Sequence, residues 1–404
     1  MSRIRKAVVL SGGTGRMEDL IGDECKTLVS VVGRKVLDYV LDGLFKSGIS
    51  DVAIVTQHRS VEKHAINEWA EKLHLDIVYQ KGKGIEGAIT SASELLRPNE
   101  VFLLAYGDII IPPEAYGLLL TTYVEVASTM HCLIAPTTTP QSYGVVVIEG
   151  SKIIDFTEKP KDETYSTLAI AGAFILYSNI VDEIASKGLI STLKFLAGNG
   201  DLTGTVWNGL WVDVDLPWDI LTALRLILGS IKTTKISSKA EISSTAIIEG
   251  PVIIEDHAVI DHKAVIKGPA YIGKNAFVGV GSFIREHTAL EEGSTVGYTS
   301  EVKRSSLQPR STVSSLSYIA DSIIGERASL SVGVKTLNVL PPHVKVERIV
   351  EELARGRKLK KLGAIIGKDA RVGSGTILLP GATVKPSAWI QPLSTVHGVD
   401  YSLV

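Results

Sequence analysis

One periodicity constrains this chain more than any other feature. From residue 236 an aliphatic side chain recurs every six positions: Ile236, Ile242, Ile248, Ile254, Ile260, Ile266, Ile272, Val278, Ile284, Leu290, Val296 and Val302. The same phase returns at Ile366, Val372, Leu378, Val384, Ile390 and Val396. Two positions before most of these stands a small residue, as in Ala240, Ala258, Ala264, Ala276, Ser282, Ser294, Ala370 and Ala382. A six-residue period fits neither an amphipathic helix nor an ordinary strand. It is the hexapeptide signature of a parallel β-helix, in which each hexad forms one side of a triangular coil. The aliphatic residue is expected to point into the prism and the small one to fit its corner. The phase is expected to break between Gln308 and Lys361.

A narrow prism has no room for large rings, and composition agrees. Of 24 aromatic residues, 17 fall in residues 1–228 and 7 in residues 229–404. Residues 1–228 alternate short apolar runs with helical patterns. Strands are expected at Ala7–Leu10, Val52–Thr56, Ile77–Gln80 and Val101–Ala105. Helices are expected at Val36–Ser47, Val61–Leu73 and Glu86–Leu96, with hairpin material at Tyr143–Ile148, Ile153–Thr157 and Ala169–Leu176. This βαβ alternation predicts an α/β domain with a mostly parallel sheet, Rossmann-like and mixed where the hairpin joins it. The expected domains are therefore 1–228 and 229–404.

Several classes are excluded. A net charge of −2, from 42 basic and 44 acidic residues, speaks against a nucleic-acid partner. Two cysteines, Cys25 and Cys132, make no disulfide framework, and no Cys/His spacing suits zinc. The first apolar run is too short for a signal peptide, and the longest, Leu168–Leu176, is far too short to span a membrane. These features predict a cytoplasmic protein without a membrane partner. The charged stretch Lys345–Lys361 reads either as a solvated arm or as a cationic lip for a phosphate-bearing ligand.

Leu10-Ser11-Gly12-Gly13-Thr14-Gly15-Arg16 follows the first strand. Glycines let backbone N–H groups approach phosphate oxygens, and an arginine adds a bidentate fork. The run is neither a Walker A loop nor a dinucleotide fingerprint. Its company is more specific. Lys26 and Gly33-Arg34-Lys35-Val36-Leu37 follow, then Gln80 with Gly84-Ile85-Glu86-Gly87-Ala88, then Tyr106-Gly107-Asp108. Tyr143-Gly144-Val145, Glu158-Lys159-Pro160 and Trp211-Val212-Asp213 with Pro217-Trp218 complete the series. In this order the segments resemble the sugar-1-phosphate nucleotidyltransferases, and with the hexads the whole chain is similar to the bifunctional nucleotidyltransferase/acetyltransferases, including archaeal forms.

The resemblance implies Mg²⁺-dependent transfer of a nucleotidyl group from an NTP to a sugar 1-phosphate. Gly12, Gly13, Gly15 and Arg16 would cradle the triphosphate, and Lys26 would neutralise the α-phosphate. Asp108 and Asp213 would hold the metal. Glu158 would take sugar hydroxyls and Lys159 the sugar phosphate, with Gly107 and Gly144 beside them and Gln80 facing the base. In a left-handed β-helix that assembles as a homotrimer, Arg285, Lys303 and Tyr318 would hold a second sugar phosphate, and acetyl-CoA would lie near Ala364 and Ala382. Ser315, however, stands where this family has the histidine base of acetyl transfer, and serine offers no acceptor that titrates near neutral pH; His287 or His343 would have to replace it.

Other departures concern the first site. One threonine of the phosphate loop is missing, and prolines are replaced by Asp19 and Cys25. Glu18, Asp19, Asp23 and Glu24 crowd the loop with acids. Ile85, Ile170 and Asp215 stand where the family has Thr, Asn and Gly. Two readings follow: an active nucleotidyltransferase, or a catalytically impaired paralogue that binds nucleotide-sugar and serves as a regulatory or structural subunit.

Overall fold

The computed structural model describes residues 4–126, 128–161, 166–339 and 361–398. His343 and all of the charged stretch except Lys361 lie outside them. The chain packs as two compact units. One runs to Gly13 and resumes over Val36–Asp213; the other holds Thr14–Lys35 and the chain from Val214 onward. The boundary at 228 marks where helix–strand alternation gives way to hexads. By packing, Thr14–Lys35 and the helix Asp219–Ser230 go with the hexads.

The first unit is a nine-stranded mixed sheet. Its spatial order is His74–Tyr79, Asp51–Thr56, Lys6–Ser11, Val101–Tyr106, Leu168–Tyr177, Met130–Pro136, Leu202–Val206, Lys152–Glu158, Gly144–Glu149. The first four are parallel, the arrangement that crossover helices produce. Leu168–Tyr177 runs antiparallel to Val101–Tyr106, and the two strands of the expected hairpin pair antiparallel at the far edge. The helix Val36–Ser47 falls where its periodicity places it, burying Val36, Leu37, Val40, Leu41 and Leu44. The helix expected over Glu86–Leu96 instead runs Gly84–Ser91 and tightens into a 3-10 turn at Ser93–Leu95.

The second unit contains a left-handed parallel β-helix of three eight-stranded sheets. Ile236 stacks on Ile254, which stacks on Ile272 and then Leu290. From Ile254 inward these aliphatic residues are at most 2% exposed, whereas Ile236 on the open first coil is 47% exposed. A residue in the left-handed backbone region turns most corners, among them Lys263, Asn275, His287, Thr299 and Arg310, with φ between 51° and 58°. The small residue follows the corner and is buried in the prism with the aliphatic one, as Ala264, Ala276 and Ser282 show.

The six-residue phase does break after Val302, but the coils do not. The coils continue through Leu307, Val313, Ile319, Ile324, Leu330 and Thr336, all buried. Two shortened sides hide the phase, since Leu307 follows Val302, and Ile324 follows Ile319, by five residues rather than six. Left-handed Arg304 and Asp321 turn these tight corners, and the Arg304 guanidinium holds the Asp321 carboxylate bidentately at 2.7 and 2.8 Å. Ile324 and Ile366, 42 positions apart in the chain, stack directly on each other.

Candidate functional site

In the first unit the sequence-predicted residues cluster where the parallel strands end, the usual ligand position in open α/β sheets. Gly12 and Gly13 leave the strand Lys6–Ser11. Gly107 leaves Val101–Tyr106, and its N–H donates to the Leu10 carbonyl at 2.8 Å, tying the two strand ends together. Asp108 comes next. The short strand Ile109–Ile110 then pairs antiparallel with Val212–Asp213, with Ile109 opposite Asp213, so that Asp108 immediately precedes the residue paired with Asp213.

Glu158 lies opposite Gly144 in the edge hairpin. A Cβ at Gly144 would sit 2.6 Å from the Phe156 ring and 2.8 Å from the Glu158 carboxylate, so only glycine leaves that carboxylate its place. Lys159 takes a left-handed turn, donates its N–H to the Tyr143 carbonyl and brings its ammonium 3.6 Å from Glu158. Tyr106 connects the group. Burial pushes its hydroxyl well above the usual range, and the charges of Asp108, Glu158 and Asp213 push it further. Three carboxylates therefore act on one half-buried ring.

Gln80 donates to the Gly82 and Gly84 carbonyls at 2.7 and 2.9 Å, and its Oε1 lies against Gly12. It braces the loop that opens the helix Gly84–Ser91. Ile85 and Ile170 both pack against the hydrophobic core of this unit. These two departures replace polar groups with apolar surface, and the strand slips register after Ile170.

Mg²⁺ is commonly held by one or two carboxylates, with phosphate oxygens and water completing its shell. Asp108 and Asp213 fit that pattern. Among the described residues no group of three or more His, Cys, Asp or Glu side chains offers an all-protein cage.

The second unit carries Gly15, Arg16 and Lys26, and it places them together. Gly15 has φ 61°, and a Cβ there would sit 2.7 Å from Lys26 Cδ. Both cations converge on Asp215. Arg16 Nε and Nη2 reach Oδ2 at 2.7 and 2.5 Å, and Lys26 Nζ reaches Oδ1 at 2.9 Å. Burial works to raise the Asp215 carboxyl, but Lys26 and then Arg16 outweigh it and hold it down at about 2. Sequence reasoning noted Asp215 only as a departure from glycine; that substitution was the available signal.

The segment bearing these cations is mounted on the β-helix. The Ser30 N–H donates to Gln308 Oε1 and the Ser30 carbonyl accepts from Gln308 Nε2, at 3.1 and 2.9 Å. The Gly33 N–H donates to Glu291 at 2.8 Å, and the Leu20 carbonyl accepts from the Lys368 N–H at 2.7 Å. Of the four acids that crowd the loop, Glu24 pairs with Lys368, and Glu18, Asp19 and Asp23 are exposed. Cys25 is buried beside Thr27.

On the β-helix, Arg285, Lys303 and Tyr318 come together on neighbouring coils of one sheet. Lys303 Nζ lies 4.8 Å over the Tyr318 ring, and Glu301 bridges Arg285 at 2.9 Å and Lys303 at 3.9 Å. His287 turns a different corner of the prism from Ser315, facing Gly229 of the helix Asp219–Ser230. Burial lowers its pKa.

Fold and site together define a sugar-nucleotide type of α/β enzyme domain followed by a hexapeptide prism. Residues 6–214 match the Nucleotidyl transferase family, and the chain belongs to it. It is 30% identical to a "Bifunctional sugar-1-phosphate nucleotidylyltransferase/acetyltransferase" of Sulfurisphaera tokodaii, over 97% of each chain. It is 29% identical to "Bifunctional protein GlmU" of Methanocaldococcus jannaschii, over 95% of this chain and 93% of the relative. It is 33% identical to the protein of the same name from Methanococcus maripaludis, over 95% and 92%. Among the described residues no helix is long and apolar enough to cross a membrane.

Proposed function

We propose that this chain transfers a nucleotidyl group from an NTP to a sugar 1-phosphate, giving an NDP-sugar and pyrophosphate. A phosphate oxygen of the sugar 1-phosphate attacks the α-phosphorus of the NTP. A new P–O bond forms, the bond to the bridging α–β oxygen breaks, and pyrophosphate leaves with that electron pair. The nucleophile is already ionised near neutral pH. The reaction therefore asks for positioning and charge neutralisation, with no protein base.

The residues divide by charge. Asp108 and Asp213 would hold Mg²⁺, which when bound offsets phosphate charge. Lys26 and Arg16 neutralise the triphosphate, with Gly12, Gly13 and Gly15 giving close backbone approach. Glu158 takes sugar hydroxyls, Lys159 takes the sugar phosphate, and Gln80 braces the base loop. The observation that carries this reading is the pairing of Asp213 with Ile109, the residue that follows Asp108 at the end of the strand Val101–Tyr106. The test is pyrophosphate release with each NTP, a panel of sugar 1-phosphates and Mg²⁺. Release with one pair establishes the reaction. Silence across the panel, with nucleotide-sugar binding by calorimetry, favours the second reading, a non-catalytic regulatory or structural subunit. The Asp215 ion pairs are the observation in favour of that alternative.

The β-helix serves mainly to assemble a homotrimer. A ridge of exposed apolar residues along one corner supports this, with Val280, Tyr298, Leu316 and Val332 between 36% and 62% exposed. Light scattering checks the assembly state. Acetyl-CoA-dependent transfer lacks support in these residues, because Ser315 has no nitrogen base and His287 turns another corner. Acetyl-CoA consumption with glucosamine 1-phosphate is the assay that decides it.

A further inference from the structure

The Arg16–Lys26–Asp215 cluster has a feature that nucleotidyl transfer does not require. The two cations assigned to the triphosphate already share a carboxylate. Asp215 spends both oxygens on them: Oδ2 accepts from the Arg16 fork and Oδ1 from the Lys26 ammonium. These are the interactions by which a guanidinium and an ammonium take a phosphate. The backbone that carries this carboxylate is also held. The N–H groups of Asp215 and Leu216 donate to Asp219 Oδ2 at 3.1 and 2.8 Å. Asp219 itself is buried at the start of the helix Asp219–Ser230. The backbone of Asp215 is thus fixed by contacts that do not involve the cations. The Arg16 side chain remains 41% exposed, open to a ligand arriving from solvent.

We propose that Asp215 is a built-in competitor for the polyphosphate site: its carboxylate occupies Arg16 and Lys26, and a triphosphate binds only by displacing it. The apparent affinity for polyphosphate is then reduced by the fraction of molecules in which the cations are released. A purely structural ion pair predicts the opposite response to substitution. Removing a clamp loosens the loop and weakens binding, whereas removing a competitor frees the cations and tightens it.

The test measures binding of inorganic triphosphate to the full chain by calorimetry, for the native protein, Asp215→Asn and Asp215→Gly. Asp215→Asn keeps the size and removes the charge; Asp215→Gly removes the side chain altogether and serves if the first variant does not fold. The expected result is triphosphate binding about tenfold tighter or more in the variant, an effect that adding Lys26→Gln cancels. Unchanged or weaker binding in the folded variant overturns the proposal and makes Asp215 a structural clamp. The inference rests on the assignment of Arg16 and Lys26 to the triphosphate, and the two fail differently. Tighter triphosphate binding without pyrophosphate release sinks the transfer reaction and leaves the competitor standing. Ready release by the native chain with unchanged triphosphate affinity in the variants sinks the competitor alone.

Discussion

Two cationic clusters in the second unit invite comparison. In one, Arg16 and Lys26 meet Asp215; in the other, Arg285 and Lys303 meet Glu301. Each gathers an arginine and a lysine, both expected to hold a phosphate, on one shared carboxylate, and Arg285 also lies 3.4 Å from Glu286. The first is tight, with contacts of 2.5 to 2.9 Å and a lysine only 12% exposed. The second is looser, with Arg285 at 2.9 Å from Glu301 but Lys303 no closer than 3.9 Å. Partly exposed pairs are screened and worth little singly, whereas a carboxylate held on both oxygens by two close cations resists displacement. Glu301 can therefore orient its neighbours without blocking them. Asp215 must move before anything else binds.

The largest effect concerns the reaction that the tight cluster would serve. Asp108→Ala should lower pyrophosphate release about a hundredfold or more, measured by a coupled pyrophosphate assay. Persistent release would end the metal assignment and detach the cluster from that chemistry.

The mounting of the tight cluster comes next. Gln308→Ala leaves both the N–H and the carbonyl of buried Ser30 without their present partner. The loss should be about 2–3 kcal/mol in chemical denaturation. A negligible change would mean that the loop does not depend on the β-helix for its position.

Glu291 adds a pH dependence to the same mounting. Burial pushes its carboxyl up to about 7, against partial relief from the Gly33 and Val32 N–H groups and the Lys35 ammonium. The folded state thus keeps a proton that the unfolded chain gives up near 4.5. Stability should be fully present below that value and fall as pH rises through about 7. Thermal melts across that window should show the native protein losing stability relative to Glu291→Gln, and parallel curves would refute the buried carboxyl's role.

The smallest effect belongs to the looser cluster. Glu301→Gln should change stability by under about 1 kcal/mol in the same melts. A larger loss would show that this cluster is held together as firmly as the tight one, and the contrast between them would disappear.

Much of this was legible in the sequence. Hexads register locally, so eighteen aliphatic positions announced the prism without any tertiary information. The two five-residue sides were not legible, because a side that loses one residue looks like a lost phase until the left-handed corners at Arg304 and Asp321 are seen. The glycine loop, Asp108 and Asp213 could be proposed from sequence because each has recognisable neighbours at or beside a strand end. Gln308 and Glu291 could not. Their partners, Ser30 and Gly33, stand 278 and 258 positions away, and nothing local marks a glutamine or a glutamate as a bracket.

The amino-acid sequence alone determined the two architectures and the chemical types at the first site, because period and strand-end motifs are short-range properties of the chain. Only the tertiary structure decided which partners those groups take. It put Asp215 on Arg16 and Lys26, and it fastened their loop to the β-helix. Ion pairing and burial depend on distances across 189 and 199 positions of chain, which no local pattern specifies.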